Sequence, residues 1–382
     1  METIAQILSR ELEQPLEYVE NVIALIDEGN TIPFIARYRK ERHGSMDDTV
    51  LRTMADRLEY LRGLEKRREE VRAAIEAQGK LTEELSGALS AAETLAEVED
   101  LYRPYRPKRR TRATIARERG LEPLAALLFA QGRDCPDPMA EAAKYVDPDK
   151  GVNTAEEALQ GAGDIIAEDI SDDAGVRKAL RELLLRRGAL VSRAAGEEDT
   201  VYRLYYDFQQ PLSRLQDHQI LAIDRGEREG ALKVKVDCDR EEALVALRRR
   251  VVRPGSAAMD FIKAAAEDAY DRLLFPSLER EIRSLLTDRA AEGAIHNFAL
   301  NLRPLLMQPP VRGHVTMGLD PGYRMGCKVA VVDPTGKVLD TAVVYPTHGE
   351  RQYKACLETL AGLIRRHGVT RIAIGNGTAS RE

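Results

Sequence analysis

The sequence predicts a mainly α chain that closes on a small α/β unit. Three observations carry that expectation. Apolar residues recur three and four apart through most of the chain up to about residue 310. Strand-like alternation in that territory is confined to Leu232-Lys-Val-Lys-Val236. After Gly313 the pattern changes to short β-branched runs separated by turn residues. The expected domains are therefore a helical N-terminal region over 1–190, a central helical region over 191–310, and an α/β domain over 313–382.

Taken in order, Ile4 to Glu28 holds two short amphipathic stretches, and Asn30-Thr-Ile-Pro33 stops one helix and starts another. Short helices joined by tight turns have the outline of a helix-turn-helix. A long helix follows from Asp47 to Ala77, with Leu51, Met54, Leu58 and Leu61 on one stripe and Leu64, Val71 and Ile75 on a drifting face. It is expected to form an antiparallel hairpin with Leu81–Leu89. Between Asp100 and Thr111 the prolines Pro104 and Pro107 disfavour helix and predict an extended loop. Further helices are signalled by Glu122-Pro123, by a capping box at Asn153-Thr-Ala-Glu156, by Val176–Arg187 ending at Gly188, and by Ser256 ahead of Ala257–Leu274. Another opens at Pro276 and runs to Leu302, and Pro304, Pro309 and Pro310 mark a linker. The cluster Arg248-Arg-Arg-Val-Val-Arg253 closes a helix, where cations are stabilising in their own right.

In the last segment, Val315–Asp320, Lys328–Asp333 and Val338–Tyr345 read as three strands joined by short turns. An amphipathic helix carrying Tyr353, Cys356, Leu357, Leu360, Leu363 and Ile364 stops at Gly368. Arg371–Ile374 is a fourth strand, ending in Gly375-Asn-Gly377. The order fits an antiparallel three-strand meander extended by a parallel strand.

Composition bounds the function. With 43% hydrophobic and 31% charged residues, the 382-residue chain is a folded soluble type. Tryptophan is absent and aromatics are 5%, so the cores are aliphatic. Cys135, Cys238, Cys327 and Cys356 show no Cys-x-x-Cys pair and no His at ligand spacing, so reduced thiols are expected and neither zinc nor a disulfide. No signal peptide and no apolar span long enough for a bilayer is read, which places the protein in the cytoplasm with no membrane partner. No cofactor is expected.

Against a formal charge of −6, the stretch from Arg103 to Arg119 gathers eight Lys/Arg and one acid, Glu118. Such a local positive stripe fits a polyanion whose phosphates compensate the charge and release counterions. Arginine forks onto phosphate, and tyrosine offers a face on which an unpaired base stacks. The candidate nucleic-acid-binding residues are Arg103, Tyr105, Arg106, Lys108, Arg109, Arg110 and Arg112, with Tyr102 just ahead of them. The competing reading is a solvated loop whose arginines pair with the protein's own carboxylates. Asp320, at the end of the first strand of the last segment, is the candidate catalytic residue.

That segment resembles the ribonuclease-H-like fold of the YqgF and Holliday-junction-resolvase group, whose first-strand aspartate bridges two metals. The resemblance implies a second acid at the end of the fourth strand, where this sequence has Gly375-Asn-Gly377; Glu382 lies further on and Asp333 ends a different strand. Nuclease activity is therefore not expected, and Asp320 reads as vestigial. Gly318-Leu-Asp-Pro-Gly322 also resembles the first phosphate loop of actin-like ATPases, but Tyr323 stands where Thr or Ser is usual and no matching second half is found.

The order of parts as a whole resembles the Tex transcription accessory proteins. The residues that carry this are Asn30-Thr-Ile-Pro-Phe-Ile-Ala-Arg-Tyr-Arg-Lys-Glu-Arg42, Asp100-Leu-Tyr-Arg-Pro-Tyr-Arg-Pro-Lys-Arg-Arg-Thr-Arg-Ala-Thr-Ile-Ala116, Gly318–Gly322 and Ile374–Glu382. The resemblance implies an elongated helical scaffold followed by a partial YqgF-like domain. It also implies that RNA or single-stranded nucleic acid is the ligand and RNA polymerase a partner. Members of the family continue with the rest of the YqgF-like domain, helix-hairpin-helix elements and an OB-type barrel. On those grounds the chain reads as a fragment with weakened binding, its fourth strand an edge open to pairing. A metal-dependent nuclease using Asp320 and a pure protein-interaction scaffold stand as the alternatives.

Overall fold

Apolar spacing and helix stops build the first core. The computed structural model describes residues 2–44, 46–107, 109–309, 311–377 and 379–381. Four short helices, α1 (Ile4–Glu11), α2 (Leu16–Asp27), α3 (Ile32–Tyr38) and α4 (Lys40–His43), pack on the first half of α5 (Asp48–Glu76). Thr3 caps α1 and Asp47 caps α5, its carboxylate accepting from the Val50 amide at 2.8 Å. Leu8, Val22, Leu25, Ile35, Leu51 and Met54 fill the space between them, and all are buried. Gly44 ends α4 at φ +59°, and a Cβ there would sit 2.3 Å from the Tyr18 ring.

The drift of the α5 stripe has a physical reason. Leu51 to Leu61 serve the first core, whereas Leu64, Val71 and Ile75 serve a second one with Leu89 and Val98. That second core is the expected hairpin, α5 against α6 (Glu83–Ala91), closed by α7 (Leu95–Tyr102). The loop expectation for Asp100–Thr111 is corrected here. Asp100 to Tyr102 still belong to α7, and Arg103–Tyr105 is a turn of 3₁₀ helix with Pro104 in its first positions. Proline is tolerated there because the first N–H groups of a helix have no partner anyway. Extended backbone begins at Arg106, with φ −66° and ψ 140°.

The main core extends without interruption from Ala113 to Ala290, so it crosses the expected division at 190/191. Around α11 (Ala155–Asp172) pack α8 (Arg112–Glu118), α9 (Glu122–Ala130) and α10 (Pro138–Ala142). The helix α12 (Ala174–Arg187) follows, capped by Asp173. The capping box of α11 is shifted by one residue from the expectation: Thr154 accepts from Glu157 N, while the Glu157 carboxylate accepts from Asn153 N at 2.7 Å.

Sequence reading expected one strand in this territory, and three form a sheet. They are β1 (Ala189–Ala194), β2 (Asp207–Pro211) and β3 (Leu232–Asp237), antiparallel in the order β2-β1-β3, with α13 (Asp217–Arg228) before β3. Gly188 makes the abrupt helix-to-strand junction possible, since a Cβ there would lie 2.5 Å from the Leu184 carbonyl oxygen. Then come α14 (Arg240–Val251) and α15 (Met259–Asp268), which passes through a π-helical segment at Ala269–Leu274 into α16 (Phe275–Leu306). Pro304, expected in a linker, lies inside α16; Pro310 is outside the described residues. By contacts the chain divides into two units, Met1–Ala294 and Ile295–Glu382.

In the second unit, β4 (Thr316–Asp320), β5 (Cys327–Val332) and β6 (Val338–Val344) form the antiparallel meander. After α17 (Glu350–His367), β7 (Arg371–Ile374) adds to β4 in parallel, giving the order β6-β5-β4-β7. Met317, Val329 and Val331 face Cys356 and Leu363 of α17 in the core of this unit. The edge strand β7 is exposed, with Ile372 and Ile374 more than half accessible. The fold is thus mainly α with a four-stranded α/β sheet near the end, as expected. All four cysteines are free thiols. No helix among the described residues is long and apolar enough to cross a membrane.

Candidate nucleic-acid interface

The basic segment is anchored from beneath by carboxylates. Asp100, 5% exposed at the end of α7, accepts from Arg177 Nε at 2.5 Å and also binds Arg181, both on α12. Glu281 of α16 takes the other side of the same two arginines. One turn on, Arg103 reaches Asp172 of α11 at 3.0 Å. Arg106 pairs with Glu99 and lies over the Tyr102 ring, 5.4 Å from its centroid. Arg67 approaches the same ring at 5.6 Å and donates to Glu99 at 2.6 Å. Burial, with Arg67 and Arg177 as neighbours, pushes the Arg106 pKa down from the usual arginine value. Tyr102 and Tyr105 pack against the second core, and Gln78 Nε2 donates to the Tyr105 carbonyl at 2.9 Å.

Beyond Arg106 the segment is open. Arg109, Arg110 and Arg112 are exposed; Lys108 lies outside the described residues. Arg110 has a surface partner in Glu118 at 2.8 Å, a pair with both side chains over half exposed and worth little in water. Arg109 and Arg112 make no ion pair among the described residues. Thr111 ends the segment as the cap of α8 and also donates to Glu168 at 3.0 Å. Arg117 is held by Glu168 at 2.6 Å and Asp169 at 2.8 Å; burial opposes its charge, but the two carboxylates outweigh that and raise its pKa.

The seven candidates therefore separate. Arg103 and Arg106 are committed to carboxylates of the fold, and the Tyr105 ring is partly packed away. Arg109, Arg110 and Arg112 remain available to a phosphate. The positioning residues Asp100, Arg177 and Arg181 were not found by sequence reasoning. The one available signal was an acid, Asp100, three residues ahead of an otherwise basic run. In the second basic cluster Arg248 binds Glu241 and Glu267, and Arg253 donates to the Ala130 carbonyl, while Arg249 and Arg250 are exposed.

Asp320 stands at the end of β4, on the sheet face opposite α17. Its antiparallel neighbour is Lys328, and on the other side Gly375 donates to the Leu319 carbonyl at 2.8 Å. A Cβ at Gly375 would lie 3.8 Å from Asp320 Oδ1. The end of the fourth strand thus does meet Asp320, and it brings no carboxylate. Asp333 is turned inward on its own hairpin, accepting from the amides of Thr335 and Lys337. Glu382 lies outside the described residues. No group of three or more His, Cys, Asp or Glu able to hold a metal ion forms among the described residues.

Comparison with known proteins agrees with the order of these parts. Residues 2–76 match the Tex-like protein N-terminal domain, 134–298 the Tex central region-like family, and 314–382 the Tex protein YqgF-like domain. Protein tex of Bordetella pertussis is 44% identical over 99% of this chain and 50% of its own length. The transcriptional accessory protein Tex of Neisseria gonorrhoeae is 41% identical over 99% and 50%. The human S1 RNA-binding domain-containing protein 1 is 34% identical over 99% and 39%. The chain spans about half the length of the bacterial relatives it matches.

Proposed function

This chain belongs to the Tex family, and on that footing we propose that it is a non-catalytic scaffold binding single-stranded nucleic acid, RNA foremost, at the transcription machinery. The observation that carries the reading is the division of labour within one short segment. Carboxylates of α7 and α11 fix Arg103 and Arg106, while Arg109, Arg110 and Arg112 are left exposed beside them. A fixed base with free guanidinium groups suits a phosphate backbone, because the anchored segment leaves only side chains, and not the loop itself, to be ordered on contact. RNA is favoured by the human relative's name, which cites an S1 RNA-binding domain. The link to transcription rests on the name of the gonococcal relative, and RNA polymerase as partner rests on the family resemblance alone.

The absence of catalysis is part of the same proposal. It is supported by the surroundings of Asp320: glycine at the neighbouring strand end and a lysine, Lys328, as its cross-strand partner. A cation there competes with a metal for the one carboxylate. The test is fluorescence anisotropy with a labelled single-stranded RNA and a matched duplex across a salt series, with Mg²⁺ present and product length read on a gel. Arg109→Ala/Arg110→Ala/Arg112→Ala is expected to weaken binding and to lower the salt slope by about two, with strands intact. An unchanged slope would remove the loop from the interface, and cleaved strands would overturn the non-catalytic assignment.

A further inference from the structure

The N-terminal unit carries a second cationic surface that the basic loop does not explain. Between Asn30 and Met46 the chain has four arginine or lysine residues, Arg37, Arg39, Lys40 and Arg42, against one acid, Glu41. None of the four makes an ion pair among the described residues. The neighbouring helix α5 behaves differently, since its Arg52, Arg57 and Arg62 bind Asp48, Glu11 and Asp27 at 2.7–2.8 Å. This protein has ample carboxylate to neutralise exposed arginines and does not do so here. Helix-dipole stabilisation accounts for Arg37 in the last turn of α3, but α4 is a single turn, whose short dipole does not account for Lys40 and Arg42 as well.

Aromatic rings are interleaved with these charges. Phe34 and Tyr38 lie 5.2 Å apart between ring centroids, tilted by 47°. The Arg39 guanidinium covers Phe34 at 5.3 Å, and Arg37 stands 5.9 Å from the Tyr38 centroid. Tyr38 is 56% exposed, unusual for a ring of that size with no partner beyond these. The surface is firmly based: Ile35, in the same helix, is fully buried, and so is His43 at the end of α4.

We propose that α3 and α4 form a second contact for single-stranded nucleic acid, in which Tyr38 stacks on an unpaired base and Arg37, Lys40 and Arg42 neutralise the adjoining phosphates. Open cations call for a polyanion, and an exposed ring among them calls for one that carries flat apolar faces, which an acidic polypeptide lacks. The inference rests on the reading above that the chain binds nucleic acid, and it adds a site remote in sequence from residues 103–112.

The test uses the full chain and a labelled mixed-sequence single strand, as RNA in one arm and DNA in the other, titrated across a KCl series. Tyr38→Ala is expected to weaken binding about tenfold with the salt slope unchanged, and Tyr38→Phe to retain wild-type affinity. Arg37→Ala/Lys40→Ala/Arg42→Ala is expected to lower the slope by about two. These residues are exposed, and circular dichroism checks that each variant is folded. If both surface variants bind like wild type while the triple loop variant is weakened, the second contact is refuted and the proposed function stands. Failure of wild type to bind either strand overturns both. Displacement of the strand by polyglutamate as readily as by unlabelled RNA assigns the surface to an acidic protein instead.

Discussion

Replacing Asp100 by Asn should destabilise the helical unit by about 3 kcal/mol, and the structure sets that figure. The carboxylate is buried and serves two arginines, Arg177 at 3% side-chain exposure and Arg181 at 13%. With Glu281 the group is balanced, two guanidinium groups against two carboxylates. Asparagine keeps the shape but removes one negative charge, stranding a positive charge in a site with little water. Removing one partner of a buried pair costs about 3–5 kcal/mol. Glu281 and Ser277 keep their bonds to Arg177, which argues for the lower end. Urea unfolding followed by far-UV circular dichroism should show the midpoint falling by roughly 1 M for a slope near 3 kcal/mol per M. Asp100→Leu/Arg177→Met should recover much of the loss, because the desolvated charge leaves with its partner. A cost below about 0.5 kcal/mol for Asp100→Asn, or a double variant no better than Asp100→Leu alone, would refute the stranded-charge argument.

Other outcomes follow from single features. Arg57, Arg62, Lys178 and Arg240 hold the carboxyls of Glu11, Asp27, Glu97 and Asp271 below their ordinary range. A carboxyl lowered in the folded state stabilises fully above its unfolded pKa and loses that contribution as pH falls through the folded value. Stability should therefore drop on acidification below about pH 4, and Glu11→Gln/Asp27→Asn should flatten the drop. Burial raises Asp164, so that group works weakly in the opposite sense. His43 is buried with both ring nitrogens unpaired among the described residues, and His43→Leu should raise stability by about 1 kcal/mol in the same urea assay. Gly188→Ala should cost about 1–3 kcal/mol because its Cβ meets a backbone oxygen. Gly63→Ala, in an open stretch of α5, should instead gain about 0.5–1 kcal/mol.

Local signals made most of the fold legible. The caps at Asp47 and Gly188, the period of α5, and the turn residues of the last segment each act within a few positions, and sequence displays such effects directly. The strands β1 and β2 escaped because their identity depends on pairing. Ala189–Ala194 becomes a strand by pairing with β2 and β3 on its two sides, and Asp207-Phe-Gln-Gln-Pro211 has almost no strand signature of its own. The 3₁₀ turn at Arg103–Tyr105 escaped for a similar reason. Proline rules out a helix interior but not a first turn, and Asp172 pulling on Arg103 is a contact between positions 69 apart. At the candidate site the abundance of arginine was visible and its allocation was not. Which guanidinium is spoken for depends on Glu99 and Asp172, and only the folded chain turns those onto Arg106 and Arg103.

That allocation changes what association with a polyanion involves. Arg103 and Arg106 already possess counterions, and those counterions are covalently part of the protein. A phosphate arriving at them would liberate no mobile salt; it would evict a tethered carboxylate, which then stands beside the incoming strand and repels it. Simple electrolyte competition governs only Arg109, Arg110 and Arg112, so the segment behaves as an ion exchanger of low capacity despite its length in arginine. Such a surface discriminates by charge density: a weakly charged chain cannot outbid the resident acids, whereas a run of closely spaced phosphates can.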